Sequence, residues 1–504
     1  MLSSRAIIAV VLAVAALAGI EWVRLGPVAS FVFSGATALA LLAALNTTLG
    51  LTILLVVMPF DRTLHPALQH FAWYPRALHV VDLIAIALAI GFAIRVLRRQ
   101  VRLEWRWYDG VYLAFLAILA LSAVHGLLEH HRYVLREGRA IPWLLTYFPA
   151  REMFARLRDK GTRIEPLLLG YGMAYCLGAF VLAYLGRGRL AHASDVLLPR
   201  LPYVVDVTPL VVLVLVGMGA FIWLSTDQRL SLLAGAGLIV YGSALAISNT
   251  RSYLLGLTVA GLALAFLLLR RQERRWSQAV RLSAAVALLL VGMAIPHGVR
   301  AGIVRANSGG GASAVSASPG AADPMPAEDP EARQIPELAP MPMAELARVA
   351  KLQRGQDENL INRMREVQAA WKDAKSHPIA GVGLGLPLRF TKLEFGGKST
   401  PVQQSFLHSG YFAVLRSAGV PGLLGLLAVV GCFMAVALRQ LVADRRDPIL
   451  LACALILVAM IPIIQFANVV LMPGAVWLAA VLGLVGSLTN SPRQPPAGGV
   501  RYLR

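Results

Sequence analysis

Apolar residues run through this chain in uninterrupted blocks rather than in alternation, and the blocks approach the length of membrane crossings, which need about 20 apolar residues. Thirteen such runs can be drawn: Ala6–Val23, Val28–Ala44, Leu49–Phe60, Leu78–Leu97, Val111–Leu128, Leu167–Leu185, Leu210–Leu224, Leu230–Ile247, Leu254–Leu269, Leu282–Ile295, Val420–Leu438, Ile449–Ile464 and Ala475–Leu488. Val28 to Phe60 is long for one helix, and Asn46-Thr47-Thr48 with Gly50 is the natural place to divide it. A fourteenth run, Ala140–Phe154, is interrupted by Pro142 and Pro149 and either crosses or lies at the surface as a re-entrant or interfacial segment. The first run could imitate a signal peptide, but no small-residue cleavage site closes it before Glu21 and Arg24, so it reads as a retained helix. The pattern predicts an all-α polytopic membrane protein with about 12–14 transmembrane helices.

Between the apolar blocks, arginine sets the orientation. Short loops rich in Lys and Arg stay in the cytoplasm. Arg270-Arg271-Gln272-Glu273-Arg274-Arg275 and Arg439–Arg446 are the decisive clusters, and placing both inside puts the long segment Arg300–Gln404 outside. Counting Ala140–Phe154 as a crossing brings the basic stretches 95–106 and 156–163 inside as well. The expected organisation is an N-terminal transmembrane bundle over 1–298, an external loop over 299–404, C-terminal helices over 405–489 and a cytoplasmic tail over 490–504. Within the loop, 307–343 is rich in Gly, Ala, Ser and Pro and reads as flexible. Residues 344–404 regain an amphipathic pattern and read as ordered and partly helical.

The ordered part of the loop holds the least membrane-like stretch of the chain, Asn362–Gly422. Leu360, Met364, Val367, Trp371 and Ala374 form a helical stripe over 359–375. His377-Pro378 ends that helix, because a residue before proline is driven out of the α region. The following Gly381-Val382-Gly383-Leu384-Gly385 suits a tight, close-packed turn. A second helix is expected from Gln403 to Ala418, with His408, Phe412 and Leu415 on one face.

Composition agrees with the hydropathy. The chain is 57% hydrophobic with a mean hydropathy of +0.66, against about 45–50% apolar usage in soluble domains. Its formal charge of +20 sits in clusters between spans, which points to orientation and lipid headgroups rather than nucleic acid. Cys176, Cys432 and Cys453 lie within apolar runs without metal-ligand spacing and read as packing residues. Asp-x-Asp, phosphate-loop, nucleophile-elbow and His-Glu-x-x-His motifs are all missing, so no metal or nucleotide cofactor is expected. Glu21 and Asp82 stand in or at spans as isolated acids and make no proton relay.

Three polar residues could carry chemistry. Arg251 interrupts two apolar runs at the external face; it either snorkels to headgroups or clamps an anion, since the guanidinium fork matches phosphate oxygens. Arg363 lies beside the apolar stripe of the loop helix, as a solvated face or an anion ligand, with Arg365 its nearest rival. His408 alone is a structural histidine, but near two arginines holding phosphate it can serve as a general base. Tyr411 and His377 are weaker candidates in the same stretch.

Together, Asn249-Thr250-Arg251-Ser252 at a span boundary, Arg363 before the His377–Gly385 run, and His408 upstream of Gly419 resemble the O-antigen ligase and polymerase (Wzy-type) superfamily of bacterial membrane glycosyltransferases. The resemblance covers roughly 230–438 by motif. It implies a GT-C-like fold in the inner membrane, with its active site facing the periplasm. It also implies transfer of a glycan from an undecaprenyl-pyrophosphate carrier to an acceptor glycan or lipid A-core. In that family Arg251 and Arg363 match the arginines that hold pyrophosphate, and His408 the histidine that activates the acceptor. The family usually places Asn where Ser409 stands and often Glu where Ser417 stands, which inclines the reading from ligase toward polymerase of O-antigen or exopolysaccharide. A transporter or flippase of lipid-linked sugars is the alternative of a different class; it would favour inverted repeats and midplane polar residues.

Overall fold

The computed structural model describes residues 27–58, 79–101, 103–185, 208–223, 228–248, 251–269, 275–309, 358–393, 399–404, 406–443, 448–471 and 474–488. The expectations for the first apolar run up to residue 26, for the loop between 310 and 357 and for the tail from 489 fall outside them. In chain order the helices begin with α1 (Pro27–Leu45), α2 (Thr47–Val57), α3 (Val80–Leu97), α4 (Trp107–Leu128), α5 (Val134–Gly138), α6 (Ala140–Leu145), α7 (Tyr147–Asp159) and α8 (Glu165–Leu185). There follow α9 (Thr208–Trp223), α10 (Gln228–Ser248), α11 (Arg251–Leu269), α12 (Arg275–Gly309) and α13 (Glu358–Ser376). A hairpin of β1 (Leu388–Leu393) and β2 (Ser399–Gln404) precedes α14 (Gly410–Ala443), α15 (Pro448–Phe466) and α16 (Gly474–Leu488). Six helical stretches among the described residues are long and apolar enough to cross a membrane: α3, α4, most of α10, α14 and α15, and the 277–296 part of α12. The chain is therefore an all-α multi-pass membrane protein.

Local chemistry accounts for several boundaries. The apolar stretch 28–60 divides at Asn46, whose side chain accepts the Leu49 N–H at 3.1 Å as the N-cap of α2. α13 occupies 358–376 and stops before Pro378, as the proline demands. Two expectations are corrected. Gln403 and Gln404, expected to open a helix, instead end the strand 399–404, which pairs antiparallel with β1 from Leu388↔Gln404 to Leu393↔Ser399, and α14 begins only at Gly410. Asp82 is not isolated, for its carboxylate accepts the His79 N–H at 2.7 Å to cap α3 and lies 3.8 Å from Arg139.

The helices share two ends. Tyr411 and Gly410 at the start of α14 meet Ile461 and Ile464 near the end of α15, so these two run antiparallel; their junction is here termed the upper end. α4 runs up toward it. The chain from Val134 through α7 then returns, because Tyr133 bonds Gly385 at the upper end while Arg158 donates to Leu488 O at the close of α16. Residues 140–154 thus pass from one end of the bundle toward the other as two short helices that meet at Thr146, with Pro142 and Pro149 each in a first turn, where a missing N–H costs least. Arg151, Arg156, Arg158 and Arg439 all stand at the lower end.

At the upper end, α14 is broken. Gly419 adopts φ 68° and ψ −169°, and Pro421 follows it. Pro421 has no N–H to return to Ser417 O, and the Val420 N–H turns away to Pro378 O at 2.8 Å. The carbonyls of Arg416 and Ser417 are left to accept the Val382 and Gly383 N–H groups at 2.8 and 3.0 Å. The glycine turn is thereby stitched into the gap, and the Ser122 hydroxyl adds a 2.6 Å bond to Ser417 O. Leu384 N bonds Ser122 O, and Gly385 N donates to a carboxylate oxygen of Glu137 at 2.7 Å. Burial pushes the Glu137 carboxyl up to about 7, against the opposing pull of the Gly385 N–H and Arg416.

Two predictions follow from this seam. A Cβ on Gly381, where φ is +68°, would stand 2.4 Å from the Ser417 backbone, and one on Gly419 would stand 2.3 Å from Ile379 O. Gly381→Ala and Gly419→Ala should each destabilise by at least about 1–3 kcal/mol, read as a fall of several degrees in the thermal midpoint of the detergent-solubilised protein. Gly431→Ala, at an open helical position, should leave the midpoint unchanged or raised.

The second concerns pH. Between the ordinary 4.5 and about 7 the folded protein keeps a proton on Glu137 that the unfolded chain has released, so stability from this group is present at low pH and lost as pH rises through 7. Glu137→Gln retains the acceptor for Gly385 N and should flatten the fall in thermal midpoint across that window. An unaltered slope would show that Glu137 does not hold the proton.

Candidate functional site

His408 stands in the short link between β2 and α14. Ser409 directly after it accepts the Phe412 N–H at 3.5 Å and so sits at the helix cap. The imidazole Nδ1 lies 2.8 and 3.1 Å from the two carboxylate oxygens of Glu366 on α13. The Glu366 side chain is 5% exposed and the His408 side chain 40%, so a buried acid holds an imidazole whose remaining edge is open. The Phe406 ring meets the imidazole edge-on at 5.1 Å between centroids. Gln404, at the end of β2, donates to Phe406 O at 2.6 Å and approaches Glu366 at 3.5 Å.

The hairpin clasps α13. The Asn362 side chain donates to Leu393 O at 2.9 Å and accepts from Leu393 N at 2.6 Å, while Arg365 donates to Thr391 O at 2.9 Å. Arg365 is thus occupied in holding a strand. Arg363 is exposed and, among the described residues, has no ion-pair or hydrogen-bond partner. It precedes Glu366 by one helical turn, a spacing that puts the two side chains side by side on the helix surface. The buried face of α13 runs through Glu366, Ala370 and Ala374, whereas Met364 and Trp371 of the expected stripe are exposed. The helix packs against β1 and the start of α14, where alanines permit a closer approach than the larger side chains would.

Other candidates lie apart from this pair. His377 is exposed at the far end of α13, its Nδ1 3.0 Å from Ser376 Oγ, and about 20 Å along the helix from Arg363 at 1.5 Å per residue. The Tyr411 hydroxyl donates to Ile461 O at 3.1 Å and ties α14 to α15. Arg251 is the first residue of α11. Six residues into α11, Gly256 packs against Ile463 and Ala459 of α15, and Gly410 packs against Ile464 of the same helix. The first turns of α11 and α14 therefore share the upper end of the bundle, which brings the backbone of Arg251 to the end that carries His408 and Glu366. A cavity of about 250 Å³ lined by Glu104, Arg151, Glu152 and Arg156 lies at the lower end, away from these residues.

Two residues with structural weight here were not singled out in the sequence. Glu366 falls within the amphipathic pattern of α13 as an ordinary polar position; its spacing of three from Arg363 was the only local hint. Arg416 is buried, ion-paired to Asp373 at 2.7 Å, and donates to Leu386 O and Pro387 O at 2.8 and 3.2 Å. A charge set inside the apolar run Tyr411–Val420 could have flagged it.

Among the described residues, α13 thus carries a guanidinium without a partner, Arg363, and the acid that holds an imidazole with one open edge. A family model described as O-antigen ligase matches residues 234–427. No curated protein matches the chain. The matched region runs from within α10 to within α14 and takes in Arg251, α13, the glycine turn and His408. Over residues 234–427 the chain is thus similar to the O-antigen ligase family, which supports its resemblance to the O-antigen ligase and polymerase superfamily.

Proposed function

We propose that this protein transfers a glycan from an undecaprenyl-pyrophosphate carrier to a sugar hydroxyl at the periplasmic face of the bacterial inner membrane, as a polymerase of O-antigen or exopolysaccharide units. Glycosyl transfer as such comes with the O-antigen ligase domain. The observation that supports the finer reading is that one helix, α13, carries both Arg363 and the acid that holds His408. Among the described residues Arg363 is without a partner, and one turn farther along α13 Glu366 holds His408. Arg251 stands at the same end of the bundle, at a helix N-terminus, where backbone N–H groups favour an anion.

In this reaction an acceptor hydroxyl oxygen attacks the anomeric carbon of the donor sugar. A new glycosidic C–O bond forms as the bond to the phosphate oxygen breaks, and undecaprenyl pyrophosphate departs with the electron pair. His408 takes the hydroxyl proton, a step worth about 10²–10⁴-fold. Arg251 and Arg363 bind the pyrophosphate and meet the charge that grows on it; one such donor is typically worth about 2.7–4 kcal/mol in the barrier. The donor is already activated, so these residues need neither metal nor nucleotide. Membrane lipids bathe the polyprenyl tail, and no nucleic acid takes part. Ser417, where the family often carries an acid, is buried in the α14 kink and offers the acceptor no carboxylate, which favours a polymerase over transfer to lipid A-core. The polar candidates gather at one end of the helices rather than at midplane, which disfavours the transporter reading.

In a strain lacking this protein, complementation with His408→Ala should leave single repeat units, whereas long chains stranded on the carrier would point to a ligase and normal polymer would remove His408 from the mechanism. Arg251→Ala and Arg363→Ala should weaken binding of the lipid pyrophosphate itself, with Arg→Lys restoring it only in part because a point charge lacks the bidentate fork.

The periplasmic placement has its own test. The lower end gathers Arg151, Arg156, Arg158 and Arg439, as expected of a cytoplasmic face. In a cysteine-free background, an impermeant thiol reagent should label a cysteine at position 363 from outside the membrane and fail to label one at position 445. The reverse result would invert the orientation.

A further inference from the structure

Glu366 has no part in the reaction as stated, yet it is the closest charged contact of His408. We propose that Glu366 is the positioning residue of His408: it fixes the Nδ1–H tautomer, aims Nε2 at the acceptor hydroxyl and stabilises the imidazolium formed when the proton is taken. The inference rests on the reading of His408 as the base.

The chemistry of the contact selects the tautomer. An ionised carboxylate can only accept hydrogen bonds, so the nitrogen facing it must be the one that carries hydrogen. Both carboxylate oxygens lie within 3.1 Å of Nδ1, and no other pairing of the neutral ring fits. The lone pair then resides on Nε2, on the open edge of the ring, where the described residues place no partner. Proton uptake at Nε2 turns the contact into a full ion pair, within a site where the acid is already desolvated and its partner prearranged.

The surroundings fix this arrangement from three elements. α13 supplies Glu366 and is clasped by the hairpin through Asn362 and Leu393. β2 ends in Gln404, which anchors the Phe406 carbonyl and so sets the ring that braces the imidazole. α14 follows from the Ser409 cap. Of the other charged groups on these elements, Arg365 and Arg416 are spent on backbone carbonyls and Arg416 also on Asp373. Arg389 and Lys392 stand on β1, and the Tyr411 hydroxyl is bonded to Ile461 O. Of the cations on α13 and the hairpin, Arg363, Arg389 and Lys392 make no ion pair or hydrogen bond among the described residues.

The test is the Glu366→Gln variant of the full-length protein, assayed for kcat and KM against pH, with carbethoxylation of the His408 peptide by diethylpyrocarbonate followed in parallel by mass spectrometry. Loss of the carboxylate should lower kcat by about 100-fold, within the range of general-base contributions, and leave the donor KM little changed. The acidic limb of the kcat profile should move to lower pH, and the pH at which His408 becomes reactive should move with it. Glu366→Asp should recover part of the loss. A folded Glu366→Gln protein with wild-type kcat and an unmoved pH limb would overturn the proposal while an inactive His408→Ala kept the base assignment intact. Full activity in His408→Ala would instead remove the base and this inference together. Should Glu366→Gln give too little active protein for kinetics, the carbethoxylation profile of Glu366→Asp decides. A shifted midpoint supports the pairing, and one identical to wild type refutes it.

Discussion

The break in α14 is the constraint on which the upper end depends. An apolar helix cannot leave two carbonyls unpaired without cost, about 1–3 kcal/mol for each buried group. Gly419 and Pro421 create that deficit, and the N–H groups of Val382 and Gly383 make it good. Neither the kink nor the turn is satisfied alone. Once joined, they place the end of α13 and the strands that follow the turn against one another, and Arg416 locks the corner by bridging Asp373 to the carbonyls of Leu386 and Pro387.

The arginines of this region divide by what they have to bind. Arg365 and Arg416 are consumed by backbone carbonyls and an acid, and at the lower end Arg151 is paired with Asp109 at 2.5 Å. A buried guanidinium needs such partners, because desolvating an unpaired charge costs more than packing returns. Arg363 escapes this requirement by standing exposed on the surface of α13. No described residue occupies its fork, which leaves it open to the pyrophosphate of the proposed reaction.

The two ends of the bundle are electrostatically different for related reasons. Buried acids at the lower end serve structure: Asp109 accepts from Tyr147 at 2.6 Å and from Arg151, closing a network with no open edge. Glu366 at the upper end is equally buried but spends its charge on a partner that remains accessible. The same kind of interaction therefore reinforces packing in one place and leaves an imidazole edge accessible in the other.

Much of the architecture was legible in local patterns. Hydropathy marked the spans, Asn46 marked the division of the first described pair of helices, Pro378 marked the end of α13, and the alternating glycines marked a close-packed turn, because each depends on residues within a few positions of one another. The family resemblance picked out Arg251, Arg363 and His408 by spacing. Local pattern misjudged the hairpin and the start of α14, although Gly396-Gly397 between two runs of strand-forming residues was a usable turn signal. Pairing across a hairpin, like the buried face of α13, is decided by what packs alongside. Only the tertiary structure could tell Arg363 from Arg365, since both are solvated helix positions until β1 takes one of them. Likewise Glu366 and His408 are 42 positions apart, and nothing in either neighbourhood requires the other. The sequence by itself determined where the chain enters the membrane and where it must turn, because those choices are made by short-range sterics and hydrophobicity. The folded arrangement decided which charges are spent and which remain free, because that depends on partners that only long-range packing brings within reach.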